Sequence, residues 1–396
     1  MNRQVRHINF SRRGGAGSVA STLAAAQRQA GWDSSVLYVI DGTLRSQPFA
    51  SPLHTLAAGT DEYLLKAGGF NSSLSSARDM VRTSIIDQIP QGSIVHLHGT
   101  NGTVSLQEIR RLSQTHTVVW TLHDMNPFTG GCHYSLGCAG FEQKCAACPA
   151  VRPPFRSLIT KNLKAKATMW EAHSSIRLVA PTHWLADSAG SSSVLGGQHI
   201  HVIPNPLAPE FEQVPVATPS QRGDGEDRLV VGVVAADLSD PVKNIAEAVT
   251  AFTQARKTNA RLELRLVGAR GDEHSYAGDL QGVLNANELR SFYSQCDVLI
   301  MPSLAENGPL VIAEAGSQGC KTFARNTGGN GEMIQLAGSG STYSEVSELV
   351  SLLVHLEPAS SKKRAVLQGT VRSVFGSSTI AGQYTEVYRY GSPGDE

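Results

Sequence analysis

No sign of charge dominates this chain: 34 Lys and Arg residues face 34 Asp and Glu residues. A balanced chain has no overall field to draw it to nucleic acid or to an acidic lipid surface, so any such attraction must be local. Long apolar runs are missing too. The opening residues, MNRQVRHINF, lack the apolar core of a secretory signal, and nowhere do the roughly 18 to 20 uninterrupted apolar residues of a membrane span occur. The expectation is a cytoplasmic protein. Cysteine is scarce, and four of the six (Cys132, Cys138, Cys145, Cys148) crowd into one short stretch, while Cys296 and Cys320 sit in apolar surroundings and read as structural. In a reducing compartment such crowding suggests metal binding before disulfides.

What is present is alternation. At 396 residues the chain exceeds one ordinary core, and two compact units with a cleft between them are expected. Strand-like VRHINF leads through Gly14, Gly15, Ala16 and Gly17 into the helical composition SVASTLAAAQRQAG. The apolar runs SSVLYVI, SIVHLH, HTVVWTLH, IRLVAP and IHVIPNP follow, with helix or loop between them. Near-continuous apolar strands separated by helices predict a parallel sheet covered on both faces, a Rossmann-like α/β fold. Residues 207–227 turn to Pro, Gln, Ser, Gly and acid without periodicity, which fits a connection. Beyond it LVVGVVA, RLELRLVG, DVLIMP and KTFAR read as a second set of strands, with helices over 242–256, 286–294 and 309–317. The expected division is residues 1–206, with a Cys-rich insertion at 130–150, then 207–378. A C-terminal helix and frayed tail at 379–396 are expected to pack back toward the first domain.

The segment richest in chemistry is 301–332, MPSLAENGPLVIAEAGSQGCKTFARNTGGNGE. DVLIMP brings the chain to a strand's C-terminal end, Glu306, Asn307 and Gly308 form a loop, and Pro309 suits the first position of a helix that continues with Leu310. Free N–H groups at such a helix start make an anion site, and open α/β sheets bind ligands at strand carboxyl ends. Glu314, deeper in the helix, can accept from both hydroxyls of a ribose, while Glu306 can face a sugar beyond a diphosphate. Gly328 and Gly329 allow the backbone to approach a ligand closely.

This pattern, Glu306-x7-Glu314 with EAGSQGCKTFARNTGGNGE after it, resembles the donor-site signature of the family 4 retaining glycosyltransferases of the GT-B fold. The resemblance extends over NANELRSFYSQCDVLIMPSLAENGPLVIAEA, over VIPNP at the inter-domain crossing, and over TLHDMNPFTGGCHYS, which is similar to a subgroup acting on bacterial exopolysaccharides and other surface glycans. It implies two Rossmann-like domains whose sheets face a central cleft. It also implies a nucleoside diphosphate sugar as donor, a carbohydrate or lipid-linked acceptor, and no nucleic acid partner. By the resemblance Glu314 binds ribose, Glu306 contacts the donor sugar and Lys243 neutralises the diphosphate. His123 lies near the donor sugar, and the loop with Gly15 and Gly17 faces phosphate and acceptor. Two departures stand out: AADLSDPV carries no arginine before Lys243, and Gly308 replaces an aromatic or Leu. No Asp-x-Asp motif occurs, so no catalytic metal is expected.

Four thiolates at Cys132-x5-Cys138-x6-Cys145-x2-Cys148 suit structural zinc, with His133 able to replace one of them; a pair of disulfides or free thiols is the alternative. His96 and His98 are expected near a loop without coordinating metal. On FRSLITKNLKAKATMW, the cations Arg156, Lys161, Lys164 and Lys166 mark either a solvated helix face or a peripheral contact with anionic lipid at the inner membrane face. The competing readings of function are another GT-B enzyme, an epimerase or a phosphorylase, and a non-catalytic sugar-nucleotide binder.

Overall fold

Alternate residues of one strand divide between two cores, and that division shows how the C-terminal half is layered. In β9, Leu229–Asp237, residues Leu229, Val231 and Val233 join one apolar cluster while Val230 belongs to another. A period of two with apolar residues on both sides requires cover on both faces of the sheet. The computed structural model describes residues 3–39, 46–47, 82–83, 85–101, 104–171, 175–212, 228–269 and 278–390. The chain divides into a unit formed by Met1–Pro206 with Ile380–Glu396, and a unit formed by Leu207–Thr379.

In the first unit, β1 (Gln4–Asn9), β2 (Asp33–Tyr38), β5 (Ile94–Leu97), β6 (Thr117–Thr121), β7 (Arg177–Ala180) and β8 (Ile200–Val202) form a parallel sheet in the order β2-β1-β5-β6-β7-β8. A two-residue ribbon pairs β3 (Ser46–Gln47) with β4 (Arg82–Thr83). Helices α1 (Gly14–Gln29), α2 (Leu106–Thr115), α3 (Arg156–Glu171) and α4 (His183–Gly190) intervene. In the second unit β9 is joined by β10 (Leu262–Ala269), β11 (Asp279–Leu280), β12 (Val298–Met301), β13 (Lys321–Arg325) and β14 (Gly340–Tyr343). Their order is β11-β10-β9-β12-β13-β14, again all parallel. Counted along its own chain this is the 3-2-1-4-5-6 order of dinucleotide-binding sheets, whose direction reverses between β9 and β12. The α/β fold with two parallel sheets is therefore as expected.

Several local expectations are corrected. The helix expected over 242–256 is interrupted: Pro241–Lys243 form a 3-10 turn, Asn244 takes a left-handed conformation (φ 51°), and the α-helix runs Ile245–Arg256. Pro309 caps the helix Leu310–Ser317 from outside, with an extended ψ of 122°, instead of occupying its first turn. Residues 14–17 are the first turn of α1, not a loop. Gly17 is required there, since a Cβ would lie 2.5 Å from the Arg12 carbonyl oxygen. Residues 213–227 of the expected connection and the tail at 391–396 lie outside the described residues. The last helix, Ser377–Tyr390, places Tyr384 and Tyr388 in the first unit, where Arg177 Nη1 donates to the carbonyls of Val387 and Tyr388 at 2.8 Å each.

Candidate functional site

The loops that leave β9 and β12 are tied together at the sheet's switch point. Leu304 N donates to the Val242 carbonyl at 2.8 Å, and Asn244 Nδ2 donates to the Pro302 carbonyl at 3.3 Å and to Glu247 Oε2 at 2.9 Å. These bonds bring Lys243 Nζ within 2.6 Å of Glu306 Oε1, with the carboxylate side chain only 10% exposed. The turn carrying Lys243 is braced further: Asp240 Oδ1 accepts from Val242 N at 2.9 Å. Glu247 is gripped by Arg325 Nη1 at 2.6 Å and by the Tyr343 hydroxyl at 3.0 Å. Sequence reasoning missed Glu247, Arg325 and Tyr343, because residues 78 and 96 positions apart meet only when β13 and β14 are laid beside β12.

In this structure the diglycine packs closely on another part of the chain, the loop that carries Glu306. Gly328 adopts φ 55°, and a Cβ there would lie 1.9 Å from the carbonyl oxygen of Glu306; Gly329 N donates to that same oxygen at 3.0 Å. The close approach is between two parts of the chain, and it fixes the backbone that carries the carboxylate. Asn307 is buried, and Gly308 and Leu310 are partly buried around the helix start. Glu314, fifth residue of that helix, accepts from the Tyr293 hydroxyl at 3.3 Å. Burial pushes its carboxyl up to about 7, partly opposed by the Tyr293 hydrogen bond. Half of such carboxyls hold a proton near neutrality, so a ligand that donates two hydrogen bonds would draw the group into its ionised form. A larger groove of about 1090 Å³ is lined by Lys321 and Gly340, the first residues of β13 and β14. It opens at the strands' amino ends, opposite the Lys243–Glu306 pair.

In the first unit a pocket of about 360 Å³ is lined by Phe10, Ala16, His98, His123, Asp124 and His133. His123 follows β6, and burial holds its imidazole down to about 4, opposed by the Asp124 carboxylate. Gly17 is buried beneath the same helix start, while Gly15 is exposed. His96 corrects the expectation of a loop-proximal residue: it lies within β5, fully buried, between the Tyr388 hydroxyl (2.8 Å) and Thr121 Oγ1 (2.7 Å). His133 is paired with Asp124 at 2.6 Å. Lys166 is also corrected, for it is 4% exposed and donates to the carbonyls of Asn126 (2.5 Å) and Thr129 (3.0 Å). Arg156 likewise donates to the Cys148 carbonyl at 3.0 Å, leaving Lys161 and Lys164 as the exposed cations.

No disulfide links the four cysteines of the insertion. Burial pushes Cys132 up to about 12, and the neighbouring thiols of Cys148, Cys145 and Cys138 push the same way. Cys145 sits at φ 51°, an unusual conformation for a residue with a Cβ. Among the described residues, the group whose possible ligand atoms lie within 4.8 Å of one another is His7, His96 and His98; the cysteines form no such group. No helix of the described residues is long and apolar enough to cross a membrane.

A family profile described as "Glycosyl transferases group 1" matches residues 221–348, the part of the chain that carries Lys243, Glu306, Glu314 and the diglycine. The chain is 28% identical over 255 residues to a protein of Escherichia coli (strain K12) named "Putative colanic acid biosynthesis glycosyl transferase WcaC"; the match spans 60% of this chain and 58% of that protein. Among solved structures it is similar to sucrose-phosphate synthase from Thermosynechococcus elongatus, with a TM-score of 0.62 and 17% identity over 98% of each chain. It is also similar to the Anabaena protein HepE in complex with UDP-glucose, with a TM-score of 0.56 and 16% identity over 97% of this chain and 98% of that one. The fold of this protein is accordingly that of the GT-B glycosyltransferases, built from two Rossmann-like α/β units.

Proposed function

We propose that the chain is a retaining glycosyltransferase that moves a sugar from a nucleoside diphosphate sugar to a hydroxyl acceptor in bacterial polysaccharide or glycoconjugate biosynthesis. The observation that carries the reading is the 2.6 Å contact of Lys243 with Glu306, at the switch point of a dinucleotide-type sheet and inside the profile match. In this reading the Leu310–Ser317 helix start and Lys243 hold the diphosphate, Glu314 takes the ribose hydroxyls, and Glu306 faces the donor sugar. The colanic acid name of the Escherichia coli relative and the UDP-glucose in the HepE complex support the donor class and the pathway.

Without a donor, Lys243 and Glu306 neutralise each other; a bound diphosphate competes for the ammonium and leaves the carboxylate to the sugar. Retention follows when the acceptor hydroxyl approaches the face from which the diphosphate leaves. The hydroxyl oxygen bonds to the anomeric carbon, the bond from that carbon to the diphosphate oxygen breaks, and the departing diphosphate takes the hydroxyl proton. The protein's part is alignment and charge stabilisation.

We assign the four cysteines as candidate ligands of a structural zinc that would fix the insertion beside the His123 pocket. Their donor chemistry suits tetrahedral coordination, and a divalent cation would relieve the repulsion among the thiols that adds to burial in raising Cys132. The protein would work at the cytoplasmic side of a membrane, with any lipid contact resting on Lys161 and Lys164.

A thermal-shift screen of nucleoside diphosphate sugars tests donor binding, since a ligand of the folded state raises apparent stability. Product anomer analysis then tests retention. Lys243→Ala and Glu306→Ala are expected to abolish transfer with the fold intact; full turnover in either variant removes that residue from the mechanism.

A further inference from the structure

His123 is the last link of a buried file. His7 Nε2 faces Gln27 Oε1 at 2.8 Å, His7 Nδ1 faces His98 Nε2 at 2.9 Å, and His98 Nδ1 faces His123 Nε2 at 2.9 Å. His7 and His98 are 0% and 3% exposed. Beside them His96 is held between Tyr388 and Thr121. These contacts use both nitrogens of His7, His96 and His98, so a metal ion at this trio would have to displace one from each ring.

Burial favours the neutral imidazole at each position, and a neutral imidazole has one N–H and one lone pair. A file of such rings has a direction: fixing one tautomer fixes the next. Gln27 Oε1 accepts from Ser34 Oγ at 2.7 Å, and its Nε2 donates to the Tyr388 hydroxyl at 2.9 Å. His7 therefore donates from Nε2 and accepts at Nδ1 from His98 Nε2–H, which in turn accepts at Nδ1 from His123 Nε2–H. Tyr388, having accepted from Gln27, donates to His96 Nδ1, and His96 donates from Nε2 to Thr121. All four rings are then in the Nε2–H form, the tautomer a neutral histidine side chain intrinsically prefers. Reversing the network would place all four in the disfavoured form.

We propose that His7 and His98 are positioning residues that hold His123 in the Nε2–H tautomer, leaving its Nδ1 as a hydrogen-bond acceptor for a sugar hydroxyl in the pocket. An acceptor at that atom selects a ligand that presents an O–H and repels a bare carbonyl or phosphate oxygen. The inference rests on the glycosyl-transfer reading for the identity of the ligand, but the tautomer itself can be read without turnover.

The test uses the full chain selectively labelled with 15N histidine, and two-bond 1H–15N spectra at neutral pH, with His123→Gln to assign the signal. The expected result is a neutral His123 with the proton on Nε2. His98→Phe cuts the file and should give a mixture of both tautomers. It should also lower kcat for transfer by about 10- to 100-fold, with KM for the donor roughly unchanged. Gln27→Leu removes the anchor while keeping every ring, and should scramble the tautomers if His98→Phe fails to fold. A wild-type His123 that is protonated, or carries its proton on Nδ1, overturns the proposal. So does a His98→Phe protein with an unchanged tautomer and unchanged kcat. If the tautomers behave as stated but no sugar nucleotide binds or reacts, the glycosyl-transfer reading fails and the file stands.

Discussion

Replacing Gly328 by alanine separates two costs that usually arrive together. Gly328 and Gly338 have nearly the same left-handed backbone, φ 55° and 59°, but a Cβ at Gly338 meets nothing within 4 Å while one at Gly328 meets the Glu306 carbonyl oxygen at 1.9 Å. Left-handed strain alone costs a non-glycine residue about 1 to 2 kcal/mol. In a unit of this size that is roughly 2 to 8 °C in Tm, the shift expected for Gly338→Ala. Gly328→Ala carries the same strain and a steric demand besides. The contact must open from 1.9 Å to at least 3.0 Å, because real Cβ atoms come no closer. The Glu306 loop therefore moves by about 1 Å and takes its carboxylate away from Lys243. A misplacement of about 1 Å in a reacting constellation costs on the order of 100-fold in rate. Calorimetry of both variants, with kcat/KM for transfer and thermal shift with a bound sugar nucleotide, gives the comparison. Equal Tm and equal kcat/KM in the two variants would refute the assignment of the diglycine as the clamp on Glu306.

Other outcomes follow from the same geometry. With Glu314 near 7, its ionised fraction rises about ten-fold between pH 6 and 8, and donor affinity measured by titration calorimetry should rise with it and flatten in Glu314→Gln. The raised carboxyl also makes the folded unit hold its proton more tightly than the unfolded chain does. Wild-type stability should therefore fall as pH rises from about 4.5 to about 7, and the glutamine variant should gain in Tm over wild type across that window. His7, held down to about 4, has the opposite sign: the unfolded chain takes the proton first, so stability is lost as pH falls from 6.5 toward 4. The loss from His7 alone is about 2 kcal/mol at pH 5, and in the Glu314→Gln background, where the opposing carboxyl is removed, a Tm that stays flat from pH 6.5 to 5 would contradict it. Freshly purified, reduced protein should contain one zinc per chain by elemental analysis; well under one removes the cysteine assignment.

Periodicity and composition were enough for the α/β class, because strands buried on both faces must be apolar at nearly every position, as Val298–Met301 are. Local chemistry was legible as well: Glu306 and Glu314 stand out by residue type after a strand end and within the helix that follows it, and Lys243 through the family resemblance. Backbone detail at the same loops was less so. Asn244 and Pro309 displaced helix starts because left-handed and extended conformations depend on what the neighbouring loop offers, here the Pro302 carbonyl for Asn244.

The sequence by itself determined the strand and helix alternation, the carboxylates and the crowding of four cysteines, since these depend on side chains near in the chain and on burial periods of two and 3.6. Only the tertiary structure decided that Gly328 clamps Glu306, that Lys166 is buried on carbonyls, and that His7, His98 and His123 form one file. These contacts join residues 22, 40, 91 and 25 positions apart, and they exist because parallel strands bring distant loops to the same end of a sheet, which no local pattern encodes.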